Sequence, residues 1–252
     1  MISVVTITFN NFEELVTTLK SIEGIPNLES IVINGGSCEK TKEFLKTYSG
    51  TSVSEKDHGI SDAFNKGLAR THGAAVMFLN SGDLLLDKDY INWTNEIFRK
   101  HEEIDFVYSG ISIKDPEMGI VHVTAENAEE RSLAKGLPYP HQTLIIRKRI
   151  FNQIGNFKIT LKCAMDFDLI LRMRKLGSRG KYYPKMTVLM DGAGISSQND
   201  LRVLIENYNV LKDNNQLSFP IKCRLGISLL LIYLKKTMLV NVIKRYRHKL
   251  SY

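Results

Sequence analysis

The chain has 252 residues, 43% of them apolar and 24% charged, which is the balance of a folded globular protein and excludes disorder for most of its length. Its formal net charge of +7 is confined to one place. Eight Lys and Arg residues follow Asn214 with no Asp or Glu among them, and without them 26 basic residues face 27 acidic ones. The basicity belongs to the tail, which excludes a general electrostatic surface for nucleic acid. Cys38, Cys163 and Cys223 are odd in number and far apart, which excludes a disulfide framework and a cysteine zinc site and favours a reducing compartment.

In chain order, Ile2–Phe9 is β-branched and reads as a strand rather than a charged leader. Glu13–Ile22 follows with Leu15, Leu19 and Ile22 at helical spacing. Strand Ser30–Ile33 precedes helix Glu39–Tyr48, and strand Thr51–Ser54 precedes helix Ile60–Arg70. A buried strand Ala74–Leu79 leads to a helix over about Lys88–His101. Strands alternating with helices of this length imply βαβ units and an α/β fold with a mainly parallel sheet flanked by helices. In such sheets ligands bind beyond the carboxyl ends of the strands, so chemistry is expected after Phe9, Ile33, Ser54 and Leu79. The second half is less regular: a hairpin of Asp105–Lys114 and Ile120–Thr124, strand Thr143–Ile146, helix Asp166–Leu176, strand Lys181–Leu189 and helix Asn199–Asp213. No internal repeat or linker divides it, so residues 1–218 are expected to form one domain and 219–252 a helical tail.

Several clusters carry polar residues where a core would not. Asn34-Gly35-Gly36-Ser37 lies between a strand and a helix start, as an anion cradle or as a plain glycine-rich turn. In the segment Asp57–Gly67, the residues Ile60, Ala63, Phe64 and Leu68 share a helical face that should pack on the sheet. Asp62, Asn65 and Lys66 then lie elsewhere, as a solvated face or as part of a site. Asn80-Ser81-Gly82-Asp83 ends a buried strand, and its carboxylate either holds a hard divalent cation against a diphosphate or closes a tight turn. Pro140-His141-Gln142 precedes a strand, and Met165-Asp166-Phe167-Asp168 opens a helix that Asp166 alone could cap.

Taken in this order, the motifs Thr8-Phe9-Asn10-Asn11, Gly35-Gly36-Ser37, Asp57–Gly67, Leu79–Asp83, His141-Gln142 and Asp166–Leu169 give a chain that resembles the GT-A-fold, family 2 glycosyltransferases. The likeness is strongest to bacterial enzymes of O-antigen, lipopolysaccharide and colanic-acid polysaccharide synthesis. The resemblance implies a Rossmann-like GT-A domain with a nucleotide-sugar across the first half of the sheet. Thr8, Asn34, Gly36, Asp57, Asp62, Asn65 and Lys66 would line the donor pocket, with Asn34 standing where the family usually has Asp. Asp83 would hold Mn²⁺ or Mg²⁺ as the last acid of an Asp-x-Asp element that here has a single carboxylate. Asp166 would be the catalytic base of an inverting transfer, His141 would reach the acceptor or diphosphate, and Asp168 would support the helix or, as an acceptor-side or diphosphate-side residue, bind ligand. The donor is expected to be a UDP-sugar, or a GDP-sugar given Asn34, and the acceptor a lipid-diphosphate-linked glycan. A polyprenyl-phosphate sugar transferase, a degenerate nucleotide-sugar binding protein and, more distantly, a nucleotidyltransferase are the competing functions.

The tail contains Leu225–Leu234, an apolar run of ten residues that is too short to span a bilayer as a helix. Arg224, Lys235 and Lys236 flank it, and Lys244–Lys249 follows. An acid-free basic, amphipathic helix of this kind suits an anionic membrane surface, here the inner face of the cytoplasmic membrane. Docking on the domain's own core is the alternative.

Overall fold

In the computed structural model, the described residues are 1–126, 128, 138–192 and 200–249, with side chains described through 234. Strand β1 (Ile2–Thr8), β2 (Leu28–Asn34), β3 (Thr51–Ser54) and β4 (Ala75–Phe78) alternate with helices α1 (Phe12–Ile22), α2 (Glu39–Lys46) and α3 (Ile60–Leu68). There follow β5 (Leu84–Leu85), α4 (Asp89–Lys100), β6 (Phe106–Asp115), β7 (Gly119–Val123), β8 (Ile145–Arg147), α5 (Lys148–Ile154), α6 (Met165–Leu176), β9 (Gly180–Asp191), α7 (Asp200–Asp213) and α8 (Phe219–Lys249). Asn199, expected to open α7, and the basic side chains from Lys235 onward lie outside what is described.

The strands form one sheet in the order β3-β2-β1-β4-β8-β6-β9-β5, with β7 paired to β6. Pairing is parallel from β3 to β4, as the alternating pattern predicts. Beyond β4 it is mixed. Strand β8 runs antiparallel to both β4 and β6, whereas β6 and β9 are parallel. The three-residue β8 and two-residue β5 carry too few residues to announce a direction, which is why the sequence alone reads a more uniform sheet.

Alternation along each central strand feeds two cores. In β4, Val76 and Phe78 face α3, α5 and α6, while Ala75 and Met77 face α1, α2 and α4. Phe64, Phe78, Phe151 and Phe157 stack against one another with centroids 4.7–6.2 Å apart, seating α3 on the sheet by the Ala63, Phe64 and Leu68 face expected for it. A third, smaller cluster joins Ala164, Phe167 and Leu171 to Val210, Leu211 and Ile221, so α7 and the first turn of α8 pack directly on α6.

Asp168, in the first turn of α6, is completely buried. Its carboxylate accepts from Lys158 Nζ at 2.6 Å and Arg172 Nε at 2.8 Å, and Arg172 also donates to the carbonyls of Ile154, Gly155 and Asn156. It therefore fastens the segment between α5 and α6 and does not face a ligand. Truncating one member of a buried ion pair leaves the other uncompensated, so Asp168→Ala should cost about 3–5 kcal/mol in urea unfolding. Below its melting point the variant should still bind nucleotide-sugar; an unchanged stability would refute the fastening role.

Candidate active site

The carboxyl ends of β1, β2 and β3 are level, with Thr8 opposite Asn34 and Asn34 opposite Ser54. The loops leaving them are held by side-chain amides. Asn10 takes a left-handed conformation (φ 57°), and its Oδ1 accepts from the Ser37 and Cys38 amides at 2.8 and 2.9 Å. Asn34 is fully buried: its Nδ2 donates to Ser54 Oγ, and its Oδ1 accepts from the Gly36 amide at 3.0 Å. Gly35 N donates to Thr8 O. Every amide from residue 35 to 38 is thus taken, and the turn reading of this segment prevails over the anion cradle. Both glycines are required by packing. A Cβ on Gly35 would lie 1.6 Å from Asp57 Oδ2, and one on Gly36 would lie 2.5 Å from Asn10 Oδ1. The Thr8 hydroxyl donates to Asn11 Oδ1 at 2.6 Å, leaving Phe9, 66% exposed, as the side chain that this strand end presents to solvent.

The α3 residues divide in the same way. Asp57 Oδ1 accepts from the Gly59 amide, and Asp62 Oδ2 accepts from the His58 amide at 2.9 Å and lies 3.2 Å from Lys66 Nζ. The His58 amide, with help from Lys66, lowers the Asp62 carboxyl below its usual range despite some loss of solvent. Lys66 also donates to Lys56 O. Asn65 instead clasps the Phe157 backbone twice, donating to its carbonyl at 2.9 Å and accepting from its amide at 3.0 Å. Among these expected donor residues, Asp57, Asp62 and Lys66 stay together at the loop edge, whereas Asn65 ties α3 to the segment before α6.

The β4–β5 turn presents Asp83, only 4% exposed, with its Oδ2 accepting from the Asn80 amide at 3.1 Å. Burial pushes this carboxyl up to about 7, against the pull of His141 and the Asn80 amide, and the Asp191 charge at the end of β9 adds to the rise. Among the described residues Asn80 Oδ1 is also buried without a hydrogen-bond partner. A buried carboxylate in the same tight turn as an unused side-chain carbonyl oxygen offers the kind of oxygen donors that a hard divalent cation takes. The fit is partial, because the described residues contain no group of three or more His, Cys, Asp or Glu placed around one ion. Asp83 and Asn80 would supply two oxygens, and the remainder of a shell would come from ligand and water.

His141 begins a 3₁₀ turn (His141–Thr143) that enters β8, and the antiparallel pairing of β8 with β4 brings that turn to the edge where Asp83 sits. His141 Nδ1 lies 3.2 Å from Asp166 Oδ2, and the other Asp166 oxygen accepts from the Phe167 amide at 2.8 Å. Burial works against the imidazolium, but the Asp166 hydrogen bond and the charges of Asp166 and Asp83 outweigh it and raise His141 above its ordinary value. Asp83, His141 and Asp166 therefore form one electrostatic unit built from three separated segments, with Asp191 as an acid that the sequence reading did not single out. Asp191 ends a strand as Asp83 nearly does, and that placement was its only available signal.

A sequence profile described as Glycosyl transferase family 2 matches residues 3–166, well over half of the chain. The chain belongs to glycosyl transferase family 2. A PGL/p-HBAD biosynthesis glycosyltransferase of Mycobacterium bovis (strain BCG / Pasteur 1173P2) is 22% identical over 248 residues, covering 94% of this chain and 90% of the relative. S. aureus TarS 1-349 in complex with UDP-GlcNAc superposes with a TM-score of 0.64 at 18% identity, over 90% of this chain and 71% of that one. The chain spans 65% of TarS 1-349 as solved in another crystal structure. The mannosyltransferase PcManGT from Pyrobaculum calidifontis, in complex with GDP-Man and Mn²⁺, superposes at 0.60 and 14% identity, over 98% and 81%. The protein is thus a glycosyltransferase with the GT-A fold.

The raised Asp83 carboxyl has a consequence for stability. Ionising it costs more in the folded chain than in the unfolded one, so its penalty grows from the ordinary Asp range up to about pH 7 and then levels off. Asp83→Asn should therefore raise the melting temperature of the ligand-free enzyme at pH 8, and raise it less at pH 5. A melting temperature lowered equally at both values would contradict an uncompensated charge.

Proposed function

We propose that the enzyme is an inverting, metal-dependent transferase that moves a sugar from a nucleotide-diphosphate sugar to a hydroxyl of a lipid-linked oligosaccharide in bacterial surface-polysaccharide synthesis. The observation that carries this reading is the pairing of Asp166 with His141 beside the buried Asp83. One carboxylate is oriented for a proton, and in the other burial outweighs the pull of His141. The UDP-GlcNAc and GDP-Man held by the structural neighbours support a UDP-sugar or a GDP-sugar as donor.

In this reading the donor lies over the loops after β1, β2 and β3, with Asp57, Asp62 and Lys66 at its edge. Asp166 accepts the proton of the acceptor hydroxyl as that oxygen bonds to the anomeric carbon. The bond from that carbon to the diphosphate oxygen breaks, and the diphosphate leaves with the electron pair. The single displacement inverts the anomeric configuration. His141 holds one Asp166 oxygen and the Phe167 amide holds the other, which fixes the carboxylate plane. Mn²⁺ or Mg²⁺ held by Asp83 and Asn80 would supply neutralising charge for the departing diphosphate.

The test is transfer from a panel of UDP- and GDP-sugars with Mn²⁺, with chelator, and with Asp166→Asn. The variant should keep donor affinity and lose about 10²–10⁴-fold in kcat, and chelation should abolish transfer. Normal turnover by the variant would place the base elsewhere, and full activity in chelator would remove the metal from the proposal.

Attachment to the inner face of the cytoplasmic membrane is proposed for α8. Among the described residues no helix is long and apolar enough to cross a membrane. Ile227, Leu229, Leu230, Leu231 and Tyr233 are all exposed, and the basic residues of the tail surround them in sequence. Ile221 and Leu225 pack on the body, so the informative truncation ends at Gly226 rather than at Phe219. That shortened chain should stay folded and bind donor yet no longer co-sediment with anionic vesicles, whereas binding of the full chain should weaken as salt rises. Equal sedimentation of both proteins would refute a membrane role for α8.

A further inference from the structure

The segment that leads into α6 is held by a side chain of α7. Glu206 Oε2 accepts from three consecutive amides, Lys162 at 3.0 Å, Cys163 at 2.8 Å and Ala164 at 3.0 Å, and Oε1 also lies 3.2 Å from the Lys162 amide. The side chain is 13% exposed, and Arg202 Nε, one turn earlier on α7, is 3.7 Å away. Ala164 is the last residue before α6, and its carbonyl accepts the first helical bond, from the Asp168 amide. Asp166 is two residues further on.

The bonded amides precede the helix, so they set the direction in which the chain enters it, and hence where Asp166 points. The same segment is tied on its other side to the donor half of the enzyme. Lys162 Nζ donates to His58 O, and Ser61 Oγ donates to Leu161 O at 2.9 Å. Val210, one turn after Glu206, packs with Ala164 and Phe167, which fixes the spacing of α7 from α6. The carboxylate is thus a strut of set length between a packed helix and the strand of chain leading to the proposed base.

We infer that Glu206 is a positioning residue for Asp166, acting through the reach of its side chain to the amides of Lys162, Cys163 and Ala164. The inference rests on Asp166 being the base. It separates reach from charge. Glu206→Gln keeps an oxygen at the position of Oε2 and loses the charge, whereas Glu206→Asp keeps the charge and falls one methylene short. A displacement of about 1 Å at a reacting group can cost about 10²-fold in rate.

The experiment measures kcat, donor KM and thermal melting for Glu206→Asp, Glu206→Gln and Asp166→Asn in the full chain with Mn²⁺. Glu206→Asp should lose about 10²-fold in kcat with donor KM little changed, and Glu206→Gln should retain most of the wild-type kcat. Wild-type kcat in Glu206→Asp beside an inactive Asp166→Asn overturns the positioning role and leaves the base reading standing. Equal loss in both Glu206 variants, a Glu206→Asp chain that fails to fold, or a loss of donor affinity in step with kcat also overturns it, as each marks a charge or stability residue. If Asp166→Asn itself turns over normally, the base reading fails and this inference fails with it.

Discussion

The antiparallel pairing of β8 with β4 is the constraint on which the site depends. Parallel strands deliver their carboxyl ends to one edge and their amino ends to the other, so loops of the first half alone can gather only Asp57, Asp62, Lys66 and Asp83. Reversing one strand brings an amino end to that same edge. Met77 opposite Ile145 sets the register, and His141 then stands beyond β4 near Asp83. The turn is pinned from beneath: the completely buried Tyr90 donates its hydroxyl to Thr143 O at 2.7 Å, and Thr143 Oγ1 bonds to Ser109 O and Pro140 O. Buried hydroxyls need such partners, and here meeting that need fixes the position of His141.

A second set of bonds fixes the other wall. The segment joining α5 to α6 has no regular structure of its own, yet Asn65 holds Phe157, the Asp168–Arg172–Lys158 cluster holds residues 154–158, Ser61 holds Leu161 and Glu206 holds residues 162–164. The contacts to α3 cross 92–100 positions of sequence, and those to α7 cross 42–44. A loop so fastened behaves as scaffold, and it connects the donor edge to Asp166 through backbone rather than through a shared ligand.

Legibility in the sequence followed periodicity. The βαβ units through α4 were readable because short β-branched or apolar runs alternate with helical stretches, and the Ala63–Phe64–Leu68 face landed where the wheel put it. The reversal at β8 was not readable, since three residues carry no direction. At the site, residue type told where polar groups gather but not which way they point. Asn34 and Asn65 look like ligand-facing residues in a motif, and each spends its polar atoms on the chain, as does Asp168 in the helix-supporting role also expected for it. Glu206 is the converse case. On its own helix it is one acid among exposed polar residues, and only the packing of α7 against α6 turns it inward.

What remains on the surface of the site is an imbalance of charge. Asp83 and Asp166 share a single imidazole, which both charges draw toward its protonated form, and the Asp191 charge raises Asp83 further. Even when protonated, His141 carries one charge against the two carboxylates that draw it. Asp83 is the member that goes short, because His141 lies in hydrogen-bond range of Asp166 while Asp83 keeps only the Asn80 amide. Folding has therefore buried a carboxylate at a cost that the His141 charge and the Asn80 amide only partly offset. The proposed divalent cation would supply the charge that these partners do not. The same deficit leaves Asp166 its histidine partner, so the group proposed to take the proton stays oriented whether or not the neighbouring charge is met.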